Sequence, residues 1–244
     1  MELQNKAVII TGASSGIGLE IARTLAADGA RLVLAARSMD KLENAAAELA
    51  ATGAPLIVVP TDVTRQKDCQ ALVHAAVDAF GAVDVLINSA GYAPPASLLD
   101  TTEEIWDATL NSCLKSVYLM TRVAVAVMLE QGGGTVVSIS SNAGKYGYEN
   151  RSAYCAAKWG LHGFTEALRV ELSSRNIRFH LICPGAVATP WWETNHNPQS
   201  EAIKHKMIQP AEVAEAVRWV LAQPERLQID EIVLKTQRSP WPEA

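Results

Sequence analysis

Tyr154 and Lys158 stand four residues apart in the stretch Tyr154-Cys155-Ala156-Ala157-Lys158, a phenol and an ammonium separated by about one helical turn. The apolar positions that follow, Trp159, Leu161, Phe164, Leu168 and Leu172, recur at helical intervals, so the segment is expected to be a helix with both groups on one face. A tyrosine near pKa ~10 is a poor base at neutral pH. Bringing it to the working pH takes roughly three units, about 4 kcal/mol in favour of the phenolate. A close cation in a partly desolvated site can supply much of that, so the pair is a proton-transfer device in outline. By itself Tyr-x3-Lys is common, and the rest of the chain decides its meaning.

A second constellation lies near the N-terminus. Thr11-Gly12-Ala13-Ser14-Ser15-Gly16-Ile17-Gly18 follows the apolar run Ala7–Ile10 and opens an alanine-rich segment of helical period. Gly12 permits a sharp turn, Gly16 lets backbone N–H groups approach a pyrophosphate, and Gly18 lets the helix pack close to a sheet. Ser14, Ser15 and Ile17 complete the loop that would face the anion, and the helix N-terminus adds a favourable dipole. The spacing is G-x3-G-x-G, one residue longer than G-x-G-x2-G, but it has the strand-then-helix context such a motif requires. At the end of the next apolar run stands Ala35-Ala36-Arg37-Ser38, with no carboxylate to accept ribose hydroxyls. Arg37 can instead form a charge-assisted fork with a 2′-phosphate, so NADP(H) is expected in preference to NAD(H). Asp62-Val63 is placed to meet the adenine, and Asn88-Ser89-Ala90-Gly91 offers a small-residue floor for the adenosine ribose.

The elements that must position these groups are legible as alternation. Strands are expected at Ala7–Ile10, Leu32–Ala35, Leu56–Val59, Val85–Ile87, Thr135–Ile139, Arg178–Ile182 and Ile232–Leu234. Helices are expected at Ile17–Ala27, Met39–Ala51, Arg65–Phe80, Ser112–Gln131, Ala153–Ser174 and Ala211–Ala222. Nearly all-apolar strands suit a parallel sheet covered on both faces, and the regular alternation points to one doubly wound α/β domain over residues 1–244. The irregular stretch 189–207, with Trp191, Trp192 and Pro198, reads as a substrate-binding loop or lid.

Composition narrows the functional class. Of 244 residues 49% are hydrophobic and 19% charged, which describes a folded chain with a single large core. A net charge of −5 without any Lys/Arg cluster argues against nucleic acid or an anionic membrane as partner. The longest apolar region, Val117 to Leu129, is interrupted by Arg122 and is too short to span a bilayer. The first strand begins almost at residue 1, leaving no room for a signal peptide, so a cytoplasmic location is expected. Cys69, Cys113, Cys155 and Cys183 lack paired or ligand spacing, as do the five histidines, so reduced cysteines and no metal site are expected.

Taken in order, Thr11-Gly12-x3-Gly16-x-Gly18, Asn88-x-Ala90-Gly91, Asn111, Ser141, Tyr154-x3-Lys158 and Pro184-Gly185-x3-Thr189 make the chain resemble the short-chain dehydrogenase/reductase family over nearly its whole length. The resemblance implies a Rossmann fold of about seven parallel strands with helices on both faces. It assigns Tyr154 as general acid in carbonyl reduction, or base in the reverse direction, a role worth ~10²–10⁴ in rate. Ser141, thirteen residues before the tyrosine, would hydrogen-bond the same substrate oxygen. Lys158 would lower the Tyr154 pKa and hold the nicotinamide ribose, Asn111 would position a relay water, and Thr189 with the backbone near Val187 would hold the carboxamide. Pro184 and Gly185 belong to the same cofactor-facing loop. Two departures stand out. Ser89 replaces a usual second asparagine and is expected to loosen local sheet contacts, and Gln228-Ile229-Asp230-Glu231-Ile232-Val233 lacks the family's frequent Asn-Gly-Gly ending. That ending looks more like the branch of NADP-dependent serine and 3-hydroxy-acid dehydrogenases.

The substrate is expected to be a small carbonyl compound or alcohol, in a pocket expected to be bounded by Tyr92, Ala93 and Pro94, by 143–148 including Tyr146 and Tyr148, and by Trp191 and Trp192. These aromatics suit an apolar or ring-bearing ketone, aldehyde or secondary alcohol; a small hydroxy acid would need a cation, with Lys145, Arg151 or His196 available. The helices 112–131 and 153–174 are apolar around much of their circumference, and the resemblance implies that they form a homotetramer, with a homodimer second. Two other readings exist: a lyase or dehalogenase of the same fold, which would alter the glycine loop or lysine, and a non-catalytic NADPH sensor, which would lose the tyrosine or serine.

Overall fold

A computed structural model describes residues 3–241. Seven strands form one sheet: β1 (Ala7–Thr11), β2 (Arg31–Ala36), β3 (Leu56–Pro60), β4 (Val85–Asn88), β5 (Gly134–Ile139), β6 (Ile177–Pro184) and β7 (Glu231–Leu234). All pairings are parallel, in the order β3-β2-β1-β4-β5-β6-β7. The order reverses between β1 and β4, so the crevice outside their carboxyl ends is where a doubly wound sheet binds ligands.

Alternation along the strands sorts side chains into two layers. Val8 and Ile10 of β1 and Val85 and Ile87 of β4 face α1 (Gly16–Ala27) and a late helix spanning Pro210–Ala222. Ile9 and Leu86 face the opposite layer, where α3 (Gln66–Phe80) contributes Leu72, Val73 and Ala76. Both faces of the central strands are thus covered, which is why β1, β2 and β4 read as nearly unbroken apolar runs. α2 (Met39–Leu49) starts at Ser38, whose hydroxyl accepts the Lys41 amide at 3.4 Å.

Besides shifts of a few residues at element ends, two stretches hold helix that the sequence expectation lacked. A helix, α4 (Glu103–Leu110), precedes the expected Ser112 start, capped by Thr102 with Glu103 and Glu104 in its first turn. It runs through a π-helical turn at Asn111–Lys115 into α5 (Ser116–Glu130). The continuous helix Glu103–Glu130 is 28 residues with a most apolar window of mean hydropathy 1.5, so by length and composition it is sufficient to cross a membrane. This corrects the expectation of a segment too short for that. Half of the window is buried, with Leu119, Met120, Ala124 and Met128 packed on α3 and the sheet, the position of a core helix. After α6 (Ser152–Glu171) and β6, the stretch 189–207 contains two short helices, α7 (Trp191–Thr194) and α8 (Glu201–Lys204), before α9 (Pro210–Ala222). On the outward faces of α5 and α6, Tyr118, Trp159 and Val170 remain exposed in the single chain.

β6 carries a titratable group at its centre. His180 is 1% exposed, its Nδ1 lies 2.6 Å from the Ile229 carbonyl oxygen, and Nε2 has no partner among the described residues. Burial pulls its pKa down to about 4, outweighing the Ile229 contact that favours the charged form. The folded pKa is thus below the ordinary 6.5, so the unfolded chain binds the proton more readily. The stability due to neutral His180 is complete above pH ~6.5 and drains away as pH falls toward 4, by about 3 kcal/mol in all. Urea unfolding of wild type should therefore weaken between pH 6.5 and 4.5 more steeply than that of His180→Gln. Equal pH slopes for the two proteins would contradict the assignment.

Candidate active site

The glycine turn sits where β1 delivers the chain to α1. Gly12 and Gly16 have φ of 69° and 55°, in the left-handed region that favours glycine. Gly18 has a different reason: a Cβ there would lie 2.3 Å from the Gly12 carbonyl oxygen, so only glycine lets α1 start this close to the turn. Ser15 caps α1 in an extended conformation without using its side chain, and no acidic residue occupies the first turn. The amide donors and dipole of α1 are therefore left for an anion brought from outside. Across the mouth stands Thr189, whose Cβ would be 3.1 Å from a Cβ on Gly16. Ser14 and Ile17 flank this turn, and Ile17 packs on the core beneath it.

Thr11 ties the turn to β4. Its hydroxyl donates to the Ile87 carbonyl at 3.3 Å and accepts the amides of Ser89 at 3.1 Å and Ala90 at 3.3 Å. Ser89 thus joins this contact through its backbone. Asn88 is buried, donating to the Thr121 and Ser138 hydroxyls, both at 3.3 Å, and Gly91 lies over Cys113. At the far end of the crevice Arg37 follows β2 directly and is exposed. Its charge reaches Asp62. Burial opposes the Asp62 charge, but bonds from the Thr64 hydroxyl and amide at 2.7 and 3.0 Å, with Arg37 and Arg65, hold the carboxyl below its usual range. Val63, next in sequence, packs on the apolar layer under β3. These residues fit a phosphorylated dinucleotide: a glycine cradle that a Cβ would fill, unfilled helix donors at its floor, and a cation beyond the second strand.

Tyr154 lies on the first turn of α6 with its ring against Ala93, Cys113, Ala157 and Trp191. Lys158 is 6% exposed on the same face, its ammonium 5.7 Å from the Tyr154 ring centre and donating to the Ile139 carbonyl at 2.8 Å. Burial pushes the Tyr154 phenol up, a nearby Cys113 adds to this, and the influences favouring phenolate are a hydrogen bond from Ser141 and the charge of Arg151. Burial likewise lowers Lys158. The Lys158 amine is turned to the end of β5. The neutral phenol is the form that donates a proton. Ser141, just past β5, accepts the Ala143 amide at 3.1 Å and turns toward Tyr154. Asn111 opens the π-helical turn between α4 and α5, a distortion common at functional sites.

On the other flank β6 ends at Pro184, Gly185 donates to the Leu234 carbonyl at 2.8 Å, and Val187 pairs with Ile208. Thr189 accepts the Trp191 amide at 3.4 Å. Of the expected substrate-side residues, Ala93 and Trp191 meet at Tyr154, whereas Trp192 is buried, donates to the Val187 carbonyl at 2.8 Å and packs on Trp241. Tyr146 and Tyr148 are half exposed, with Lys235 over the Tyr146 ring. Sequence reasoning missed Asn195. Fully buried, it accepts the Ala93 amide at 2.5 Å and donates to the Trp191 carbonyl at 2.7 Å, clamping two walls that are far apart in sequence. It also missed a grouping of His162, Cys183 and Glu231, ligand atoms within 4.8 Å of one another, because they come from α6, β6 and β7. The Glu231 carboxylate there is paired with Lys145.

Comparison with known proteins places this geometry. Residues 6–200 match a family model described as short chain dehydrogenase. An uncharacterized oxidoreductase of Staphylococcus aureus is 35% identical over 233 residues, covering 96% of this chain and 98% of the relative. An alcohol dehydrogenase from the archaeon Thermococcus sibiricus, complexed with 5-hydroxy-NADP, superimposes with TM-score 0.88 and 30% identity over 98% of this chain and 99% of that one. A metagenomic short-chain oxidoreductase in complex with NADP gives TM-score 0.84 and 30% identity, covering 98% and 100%.

Proposed function

The chain belongs to the short-chain dehydrogenase family and is an oxidoreductase, and from that premise we propose that it uses NADP(H) to interconvert a ketone or aldehyde and the corresponding alcohol. The observation carrying this reading is the hydrogen bond that joins Tyr154 to Ser141, just past the carboxyl end of β5. NADPH, when bound, supplies a hydride. The carbonyl carbon gains a C–H bond, its π electrons move to oxygen, and that oxygen takes the Tyr154 proton. Ser141 donates a hydrogen bond to the same oxygen as charge develops on it. The phenolate left on Tyr154 lies near the Arg151 charge. Lys158 binds the nicotinamide ribose, Asn111 holds a water that returns a proton, and Arg37 pairs with the 2′-phosphate. Thr189 and the Val187 backbone orient the carboxamide. The NADP-bound neighbours support the coenzyme assignment.

The test is consumption of NADPH, followed at its absorbance band, against a panel of ketones and aldehydes. Stoichiometric NADPH loss and alcohol formation with at least one member is expected. Tight NADPH binding without turnover on any carbonyl, or on any alcohol with NADP⁺, would favour a sensing protein instead.

A further inference from the structure

Among the described residues, Arg151 has no carboxylate as an ion-pair partner. It is the residue before α6, three positions ahead of Tyr154, and it is only partly exposed. One guanidinium N–H donates to the Ala93 carbonyl at 2.8 Å, and the guanidinium carbon lies 5.3 Å from the Trp191 ring centre. The Trp191 ring is in turn 5.9 Å from that of Tyr154. Cation, indole and phenol therefore form one wall beside the proposed reacting oxygen. A guanidinium offers five N–H donors, and among the described residues a single acceptor takes one of them. No carboxylate among the described residues lies within ion-pair distance of it.

Arg31 likewise bonds one carbonyl, that of Phe80, and lies over the Phe80 ring, but far from Tyr154 at the start of β2; Arg169 and Arg178 differ. Arg169 pairs with Glu166 at 2.9 Å and Asp230 at 3.6 Å, and Arg178 has acceptors in Gln223, Pro224 and Thr135. Arg151 is also set against electrostatics. As the N-cap residue of α6 it adds a positive charge to the positive end of the helix, and no acidic side chain stands in the first turn. Among the three cations available to a hydroxy acid, Lys145 is paired with Glu231 and His196 is exposed, while Arg151 faces the Tyr154 cluster.

The geometry points to Arg151 as a specificity-determining residue that receives a carboxylate on the substrate, so that the compound reduced is an oxo acid and the compound oxidised a hydroxy acid. This rests on the oxidoreductase reading above and names its substrate class. The fork of N–H donors matches a carboxylate's two oxygens, and stacking on Trp191 fixes the plane of the fork. The anion neutralises both the guanidinium and the helix end, and it anchors the chain so that the carbonyl a few bonds away meets Tyr154 and Ser141.

The experiment compares pyruvate, acetoacetate and levulinate with their methyl esters at saturating NADPH, for wild type, Arg151→Met and Arg151→Lys. Wild type should prefer at least one acid over its ester in kcat/KM by roughly tenfold to a hundredfold. Arg151→Met should collapse that preference toward unity, chiefly through KM of the acid, and Arg151→Lys should keep part of it. A wild type that reduces every ester as well as its acid would overturn the Arg151 assignment and leave the oxidoreductase reading standing, and this comparison needs no variant to fold. An Arg151→Met enzyme with the acid preference intact would overturn it equally. Absence of turnover with all six compounds and with the broader carbonyl panel would bring down the oxidoreductase reading itself.

Discussion

Replacing Tyr154 with Phe is expected to lower kcat by ~10²–10⁴ while leaving NADPH affinity within a few-fold of wild type. The substitution removes one oxygen and keeps the ring that packs on Ala93, Cys113, Ala157 and Trp191, so the pocket stays filled. What disappears is the proton donor and the group that Ser141 hydrogen-bonds. A carbonyl oxygen receiving hydride electrons then has to take its proton from water, against the burial that surrounds Tyr154. In the proposed reading NADPH is held by other residues, the glycine turn, Arg37 and Lys158, and fluorescence titration of the variant should show binding retained. Turnover within threefold of wild type would remove Tyr154 from the mechanism.

Arg37→Asp should reverse coenzyme preference, shifting the ratio of kcat/KM for NADPH over NADH by roughly 10²–10³. Position 37 follows the last residue of β2, where a carboxylate accepts ribose hydroxyls in NAD-binding folds. Here that strand ends in Ala35-Ala36, and the nearest charge beyond it is the guanidinium. The variant loses a charge-assisted bond to the 2′-phosphate and gains a repulsion against it. It also removes one of the cations that holds the Asp62 carboxyl down, so the adenine end of the crevice is perturbed too. Steady-state kinetics with both coenzymes decides the matter. A variant still favouring NADPH would mean that another group, such as Lys41 at the start of α2, reads the phosphate.

All seven strands were legible in the sequence, the central ones because a doubly covered parallel sheet buries both faces and leaves apolar runs such as Ala7–Ile10. The helix α4 was not, and the reason is its exposure. Only Thr109 is buried along Glu103–Leu110, so no apolar stripe announces it, and Trp106 points outward. Its capping signal, Thr102 followed by two glutamates, was present but short. The π-helical turn at Asn111 breaks helical period by a single residue, below what periodicity resolves. The site residues carried by local motifs, Gly12 to Gly18 and Tyr154-x3-Lys158, could be read directly. Asn195 and Arg151 could not be assigned, because what gives them meaning is contact with Ala93, 102 and 58 residues away. Topology creates those contacts, and spacing along the chain carries no trace of them.

The central claim is a direct transfer of hydride from NADPH to a carbonyl carbon at the Tyr154 and Ser141 corner, and isotope transfer tests it. The enzyme is supplied in turn with NADPH bearing deuterium in each of the two C4 positions, together with a carbonyl substrate found in the panel, and the alcohol is weighed by mass spectrometry. One of the two labelled coenzymes should yield alcohol one mass unit heavier at the former carbonyl carbon, and the other should yield unlabelled alcohol. Coenzyme consumption with no deuterium in the product from either form would contradict the account.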